Sequence, residues 1–282
     1  MTPSDWLLWL FVFAMGAVIG SFLNVVIYRL PRGLSILQPP SHCPSCGVRL
    51  KPLDLFPVFS WAFLLAKCRY CHHHISARYP MIELASGGLA CAAVALQGPG
   101  FSAAMVYIAC AALLVAIFVD LDHMIIPDEV HWFVGGAGVL LDFQQIWGRG
   151  LPAMITFSER VGTRMVTMAW PRCLVGAALG ATLFLILAFV AQIAFRRPAL
   201  GMGDVKLAAA VGALLGPGYY FLSFFLLAAL LGGVIGIVVL ATSRAREDHY
   251  IPFGPMLAVS AMALALAPDT VSGIVLSRFL IY

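Results

Sequence analysis

The stretch that decides the fold runs from residue 101 to residue 128 and reads FSAAMVYIACAALLVAIFVDLDHMIIPD. Its apolar part, 101–119, has no charged side chain and is close to the length of about 20 residues that a helix needs to cross a lipid bilayer. Asp120 and Asp122 follow at once. Because charge is unfavourable inside a bilayer, acids beside such a segment are candidates for function. The sequence therefore predicts a membrane helix that ends in chemically useful side chains.

The composition of the whole chain agrees with a membrane protein. Of its 282 residues, 62% are hydrophobic and only 11% are charged. These charges are too few to cover the surface of a soluble domain of this length, so membrane lipid is the expected partner. The net charge of +4 is too small to indicate nucleic acid as a partner. We therefore predict an all-α polytopic membrane protein.

Hydropathy predicts about eight membrane-spanning helices. Segment 130–147 contains Asp142, and segment 205–215 is short, so these two fit the criterion least well. Short segments rich in small residues can still span when other helices surround them. The predicted spans are 6–28, 81–97, 101–119, 130–147, 173–195, 205–215, 219–241 and 252–267.

Basic residues predict the orientation of these helices. Segment 29–80 is rich in Lys and Arg, which favours the cytoplasmic side and places the N-terminus outside. Segment 6–28 has spanning length and no basic stretch before it, so we expect an uncleaved helix, not a secretory signal. The same alternation leaves several arginines outside, against the rule: Arg149, Arg160, Arg164, Arg172 and Arg278.

Three regions are predicted along the chain. Residues 1–32 form the first transmembrane helix, and residues 33–80 form a small cytoplasmic domain rich in Cys, His and Pro. Residues 81–282 form a transmembrane domain that contains the candidate acids. Within it, residues 148–172 mix charged and apolar residues, so we expect an external amphipathic insertion that lies on the membrane.

Four of the seven cysteines form two pairs in the region 33–80. The sequences CPSC and CRYC are about 20 residues apart, which is the spacing of a structural zinc site. Four thiolates form a closed tetrahedral shell that suits Zn²⁺ and leaves no open position for water. Disulfides are disfavoured in a reducing cytoplasm. The predicted ligands are Cys43, Cys46, Cys68 and Cys71. Three histidines follow the second pair, and one of them could replace a cysteine ligand: His72, His73 and His74.

A second acidic motif, GMGD, ends at Asp204 and follows the predicted span 173–195. In the predicted topology it lies on the same side of the membrane as Asp120. Two carboxyl groups in one site share a proton, so that one stays charged. The charged group can activate water while the protonated group polarises a carbonyl, which is the chemistry of peptide hydrolysis.

Two glycines of this motif, Gly201 and Gly203, allow a neighbouring backbone to approach closely. The residue types alone do not decide between Asp120 and Asp122 as the partner of Asp204. A transporter that uses Asp120 and Asp204 as a proton relay is one alternative, and a zinc-anchored scaffold without enzymatic activity is another.

Several motifs in a fixed order resemble one family. They are GSFLNVVIYRLP at 20–31, the paired CxxC sequences, RYP at 78–80 with Glu83, IPD at 126–128, GMGD at 201–204 and IPFGP at 251–255. This order resembles that of the type IV prepilin peptidases, GxGD-type membrane aspartic proteases of bacterial pilus and type II secretion systems.

The resemblance implies a catalytic pair and a substrate. By position the two catalytic aspartates fall on Asp120 and Asp204, with supporting residues Asp122, Gly201, Gly203 and Lys206. The family removes the basic leader of type IV prepilins and pseudopilins, cutting after a glycine at the cytoplasmic face of the bacterial inner membrane.

The resemblance also implies a second activity, N-methylation of the new N-terminus with S-adenosyl-L-methionine as methyl donor. The residues that would bind this cofactor are not evident from the sequence. Glu83, Arg78 and Asn24 are weak candidates and are equally plausible as packing residues. A leader peptidase without methyltransferase activity therefore stays open.

Overall fold

The computed structural model describes residues 3–149, 154–161, 164–196, 200–242 and 252–279. These residues divide into two compact units, Met1–Tyr107 and Ile108–Tyr282. The elements of the first unit are α1 (Pro3–Arg29), a 3-10 helix (Leu30–Arg32), a second 3-10 helix (Pro52–Leu55), α2 (Phe59–Phe63), α3 (Arg78–Gln97) and the start of α4 (Phe101–His123).

Small residues bring α1 and α3 into close contact in the first unit. A Cβ atom added at Gly16 would lie 2.7 Å from the Cβ of Ala90, and one at Gly20 would lie 2.8 Å from the Cα of Glu83. Ser86 Oγ donates a hydrogen bond to the Gly16 carbonyl at 2.7 Å. Close approach of this kind is how helices associate in lipid, where little hydrophobic force drives them together.

The second unit contains the remainder of α4 and most of the other helices. The elements that follow α4 are α5 (Asp128–Arg149), β1 (Met154–Val161), β2 (Arg164–Pro171), α6 (Arg172–Phe195), α7 (Met202–Leu215), α8 (Tyr219–Thr242), α9 (Gly254–Leu266) and α10 (Pro268–Phe279).

Helices α6 and α7 are antiparallel and touch through glycines. A Cβ atom added at Gly176 would collide with the carbonyl of Gly212, and one at Gly180 would collide with the carbonyl of Ala208. These two contacts set the register of the pair. Since no larger residue fits there, the short and small-residue-rich α7 is held among its neighbours.

At one end of this unit, polar groups connect α5, α6 and α7. The carboxylate of Asp142, in α5, accepts a hydrogen bond of 2.6 Å from the Cys173 N–H at the start of α6. Arg172 donates to the Leu215 carbonyl, the last residue of α7, at 3.2 Å. Asp142, which fits poorly in a predicted span, is thus buried as the partner of an N–H that has no acceptor within its own helix.

Each of the eight predicted spans coincides with a helix, but the count of eight spans is not confirmed. Among the described residues, five helices are long and apolar enough to cross a membrane: α1, α3, α4, α6 and α8. Helices α9 and α10, bent by 120° at their junction, would together count as a sixth. The chain is thus a multi-pass membrane protein, while spanning by α5 and α7 stays a prediction.

The prediction of an all-α protein is wrong for one segment. Residues predicted as part of an amphipathic insertion form an antiparallel pair of strands, β1 and β2, in register from Met154↔Pro171 to Val161↔Arg164. The physical reason is local: the strands contain Ile, Val, Thr, Phe and Trp, residues that favour extended backbone. The arginines predicted at positions 160 and 164 lie on the described backbone of this hairpin.

Candidate active site and zinc site

Asp120 lies in the last turns of α4 and points into the second unit. It is only 6% exposed, and its carboxylate accepts a hydrogen bond from the backbone N–H of Gly254 at the start of α9. Asp122, two residues further along the same helix, is exposed. The structure thus distinguishes two acids that the sequence leaves equivalent.

Asp204 lies in the first turn of α7, where it closes the GMGD motif. Its Oδ2 accepts a hydrogen bond of 3.2 Å from the Gly201 N–H. Gly201 itself is the N-cap residue in an extended conformation. The hydrogen bond between the first and last residues of the motif therefore holds the Asp204 carboxylate at the N-terminus of α7.

Ile126 brings the environments of the two acids together. A Cβ atom added at Gly203 would lie 3.4 Å from the Ile126 Cβ, and one at Gly254 would lie 3.1 Å from the Ile126 Cδ1 and 2.5 Å from the Asp120 Oδ2. The carboxyl groups of Asp120 and Asp204 interact electrostatically. Residues from α4, α7, α9 and the turn before α5 thus converge around two carboxyl groups.

Two polar contacts connect α5 to the GMGD motif and the residues just after it. Lys206 forms an ion pair of 2.6 Å with Asp128 at the start of α5. His131 Nε2 lies 3.2 Å from the carbonyl oxygen of Gly203 and donates to it in the matching tautomer. Lys206 is one of the supporting residues predicted from the sequence. No role was predicted for His131, Ile126 or Gly254, because the position of each beside the two acids depends on how the helices pack.

The four predicted zinc ligands come together in the first unit. Their Sγ atoms all lie within 4.8 Å of one another, and those of Cys43 and Cys71 are 3.8 Å apart. Four sulfurs at about 2.3 Å from a tetrahedral Zn²⁺ would lie about 3.8 Å from each other. The sulfur cluster therefore has the size and donor set that suit this ion.

The two CxxC turns have the same backbone hydrogen bonds. In the first, the Gly47 N–H donates to the Cys43 carbonyl and the Cys43 N–H to the Val48 carbonyl. In the second, His72 donates to Cys68 and Cys68 to His73. Gly47 (φ +69°) and His72 (φ +56°) both have left-handed backbone. His72 thus occupies the position of a turn glycine.

The pKa values of two of the clustered thiols, Cys43 and Cys71, shift in opposite directions. Burial acts to raise the pKa of Cys43, but hydrogen bonds from the backbone N–H groups of Cys46 and Ser45 and from neighbouring thiols lower this pKa to about 6. For Cys71 the His73 N–H acts to lower the pKa, whereas desolvation and hydrogen bonds with the other cysteines raise it to about 11. The Cys43 thiol therefore ionises more readily than the Cys71 thiol.

Asp54 forms hydrogen bonds within the cysteine loop, which we define as the segment between α1 and α3 that contains the four clustered cysteines. It accepts hydrogen bonds from Arg69 Nε at 2.6 Å and Tyr70 Oη at 3.1 Å, both within the second CxxC sequence. It also accepts one from the Lys51 N–H at 3.0 Å. Burial acts to raise the pKa of Asp54, but these hydrogen bonds outweigh it and lower the pKa. No role for Asp54 was predicted, because its neighbours in the sequence match no motif that would indicate one.

Comparison with known proteins identifies the family. The model of the bacterial peptidase A24 N-terminal domain matches residues 14–97, and the model of the type IV leader peptidase family matches residues 107–237. A prepilin leader peptidase/N-methyltransferase of Burkholderia pseudomallei (strain 1026b) is 33% identical over 90% of this chain and 83% of its own length.

The chain belongs to the type IV leader peptidase family. Prepilin leader peptidase/N-methyltransferases from Aeromonas hydrophila and Bacillus subtilis (strain 168) are each 30% identical to this chain. The first alignment covers 98% of this chain and 96% of the relative, and the second covers 92% and 94%. No solved structure matches the chain. The leader peptidase family model includes Asp120 and Asp204, and the N-terminal model includes the four clustered cysteines.

Two of the three weak candidates for a methyl-donor site form hydrogen bonds within the first unit. Asn24 Nδ2 donates to the Tyr79 carbonyl at 3.2 Å and so joins α1 to α3. Glu83 Oε2 accepts a hydrogen bond of 2.7 Å from the Val58 N–H. Arg78 is the first residue of α3. A role of these three residues in binding S-adenosyl-L-methionine stays a prediction.

Proposed function

We propose that this protein removes the leader peptides of type IV prepilins and pseudopilins by aspartic-protease hydrolysis, at the cytoplasmic face of the bacterial inner membrane. Asp120 and Asp204 are the proposed catalytic pair. The observation that carries the proposal is that Ile126 lies beside both Gly203, next to Asp204, and Gly254, next to the Asp120 carboxylate, while the two carboxyl groups interact electrostatically. Membership of the type IV leader peptidase family and the activity named for its relatives give the proposal independent support.

In this mechanism, the two carboxyl groups hold one proton between them. The ionised carboxylate takes a proton from water, and the resulting hydroxide attacks the carbonyl carbon of the scissile bond. The protonated carboxyl donates a hydrogen bond to the carbonyl oxygen and stabilises the charge that develops there. The intermediate then loses its amine, which leaves with a proton, and no covalent enzyme intermediate forms.

The proposed topology also explains how the substrate is presented. A basic leader stays on the cytoplasmic side, where positive charge is favoured, while the apolar helix that follows enters the bilayer. The bond between them is thereby held at the boundary. With the N-terminus of α1 outside, the C-terminal end of α4 and the N-terminal end of α7 lie on the cytoplasmic side.

Substitution of each acid tests the catalytic pair. We expect Asp120→Asn and Asp204→Asn each to lower the rate of prepilin cleavage by roughly 100- to 10,000-fold, the contribution typical of a general acid or base. The measurement is incubation with a purified prepilin, followed by intact mass of the product. Asp122→Asn is the matched control, since this exposed acid lies on the same helix, and we expect a much smaller loss. Full activity in either of the first two variants would remove that residue from the mechanism.

We also propose that the protein methylates the new N-terminus, as the names of its relatives state for them. S-adenosyl-L-methionine would supply an electrophilic methyl group to the uncharged terminal amine. The same mass measurement separates the two activities, because methylation replaces one hydrogen of the amine with a methyl group and makes the product heavier by the mass of CH2 only when the donor is added. Cleavage with an unmodified product under those conditions would favour a leader peptidase without methyltransferase activity.

The proposed role of zinc is structural. Cys43, Cys46, Cys68 and Cys71 would hold one Zn²⁺ in a closed shell, and the binding energy would stabilise a loop that has little core of its own. We expect one zinc per chain by metal analysis, and loss of that zinc in Cys43→Ser. Absence of zinc from the purified native protein would contradict this assignment.

A further inference from the structure

The cysteine loop presents a group of large apolar side chains on its surface. We name this group the aromatic strap; its members, with their exposed fractions, are Leu53 (74%), Phe56 (57%), Phe59 (57%), Phe63 (83%) and Leu65 (79%). All five lie in the region that the sequence predicts to be in water. Contiguous apolar surface of this kind marks a site of interaction with protein or membrane.

The short helix α2 holds the strap in a defined orientation. Phe59 and Phe63 are four residues apart and stack with ring centroids 6.5 Å from each other, and the Phe56 and Phe59 centroids are 5.6 Å apart. Trp61 Nε1 donates to the Ile75 carbonyl at 3.0 Å. Trp61 therefore fixes α2 to the loop, while the phenylalanines face away from it.

A hydrogen bond fixes the strap at a particular level of a membrane-spanning helix. The Val58 N–H, between Phe56 and Phe59 in the chain, donates to Glu83 Oε2 at 2.7 Å. Glu83 is 7% exposed and lies five residues after Arg78, where the candidate span begins. At a rise of about 1.5 Å per residue, this contact lies about 7 Å along that span from its start.

The backbone at this contact is unusual, which indicates that it is held in place. Val58 has φ of +63°, a conformation that a β-branched residue rarely adopts. Such strain persists only where the surrounding contacts over-determine it. Within the same turn of α3 as Glu83, Met81 and Leu84 are 59% and 47% exposed. The apolar surface of the span thus begins at the level where the strap is attached.

The ends of the strap carry positive charge. Lys51 precedes Leu53 by two residues and Lys67 follows Leu65 by two, and both lysines are exposed. Apolar and aromatic side chains flanked by lysines suit the boundary between acyl chains and anionic headgroups. Long lysine side chains can reach such headgroups while the apolar residues lie deeper.

We propose that the aromatic strap inserts into the membrane interface beside the start of α3, where it contacts anionic phospholipids. The cysteine loop is then attached to the bilayer surface through α2 and is not a freely solvated domain. This assignment depends on the contacts within the first unit and not on the proposed protease activity.

Photo-crosslinking in lipid nanodiscs tests the proposal. A benzophenone amino acid replaces Phe59 or Phe63 in the full chain, and mass spectrometry of the labelled peptide identifies the partner after irradiation. Phe22, in α1 and 45% exposed, is the positive control for contact with lipid. His73, exposed in the second CxxC turn, is the negative control within the same loop.

We expect phospholipid adducts at positions 59, 63 and 22 and none at 73. We also expect a several-fold higher yield at 59 and 63 when phosphatidylglycerol is present than in phosphatidylcholine alone. Lipid adducts at 22 but not at 59 or 63 would overturn the proposal, and so would adducts at 73 equal to those at 63. Adducts to an added prepilin, formed at 59 or 63 in place of lipid, would assign the strap to substrate binding instead.

Discussion

His131 connects α5 to the backbone of the GMGD motif. Its Nε2 lies 3.2 Å from the Gly203 carbonyl, next to Asp204. Because the hydrogen bond holds the residue before a proposed catalytic acid, we expect His131→Phe to lower kcat for leader cleavage roughly 10-fold with little change in KM. His131→Gln, which keeps a donor at a similar distance, should retain most of the activity. Equal kcat in the native protein and His131→Phe would show that the contact does not position Asp204.

His72 offers a second test at the scale of a single residue. Its φ of +56° is strained for a residue with a Cβ atom, whereas the equivalent Gly47 adopts φ of +69° without strain. We therefore expect His72→Gly to stabilise the loop by about 1 kcal/mol, measured as slower release of zinc to a chelator. Gly47→Ala is the matched control and should act in the opposite direction. Faster release from His72→Gly would indicate that the imidazole binds the metal.

At this scale, the sequence identifies residue types but not the direction of side chains. Both Asp120 and Asp122 follow the same apolar segment, and only the path of α4 places the first inside and the second outside. His72 was considered from the sequence as a possible ligand. Its equivalence to Gly47 depends on backbone torsion angles, which no local pattern predicts for a histidine.

Asp54 joins Lys51, which follows the first CxxC turn, to Arg69 and Tyr70 of the second turn. The lowered pKa of Asp54 means that its stabilising effect is present above the unfolded value of about 3.9 and is lost as pH falls through the lower folded value. We expect Asp54→Asn to weaken zinc binding roughly 10-fold at neutral pH. The measurement is competition with a chelator, and Asp122→Asn, in the other unit, serves as the control. Equal zinc affinity in Asp54→Asn and the native protein would exclude this role.

Helix α5 contains a matched pair of glycines that tests helix packing. A Cβ atom added at Gly138 would lie 2.5 Å from the Ala213 carbonyl oxygen, whereas one at Gly136 has no atom within 4 Å. We expect Gly138→Ala to destabilise the protein by about 1–3 kcal/mol. Gly136→Ala should be neutral or slightly stabilising, because alanine favours helix. Thermal unfolding in detergent measures both, and equal effects would contradict the observed packing of α5 on α7.

Elements of the fold were predicted where one physical effect dominates. The apolar segments 6–28 and 219–241 correspond to α1 and α8 because hydrophobicity alone requires them to be helical in a bilayer. The hairpin at 154–171 was missed because its charged residues resemble those of an amphipathic surface segment. Beyond the last predicted span, 252–267, the chain continues as α10, but its junction with α9 is a bend of 120° that hydropathy does not detect.

At the scale of the second unit, contacts at two levels indicate how α5, α6 and α7 are arranged. Asp142, Arg172 and Leu215 mark one level, and His131 and Gly203 mark the other. Helices α5 and α7 have residues at both levels. We therefore expect both helices to cross the membrane, although neither meets the length and hydropathy criterion alone. Reporter fusions ending at residues 200 and 217 should therefore report cytoplasmic and external locations respectively. The same location for both would make α7 a re-entrant helix.

Helices α6 and α7 differ in length, and their register shows where the difference lies. Gly176 faces Gly212 and Gly180 faces Ala208, so Asp204 is level with Phe184. Helix α6 continues to Phe195, about 16 Å further at 1.5 Å per residue. Along the helix axis, Asp204 therefore lies about three turns from the C-terminal end of α6. As the proposed catalytic pair, Asp120 and Asp204 would reach a bond next to the apolar helix of a peptide substrate, whereas a bond several residues back in the basic leader would lie too far from them. Lengthening the substrate between its glycine and its apolar helix should accordingly slow cutting at that glycine.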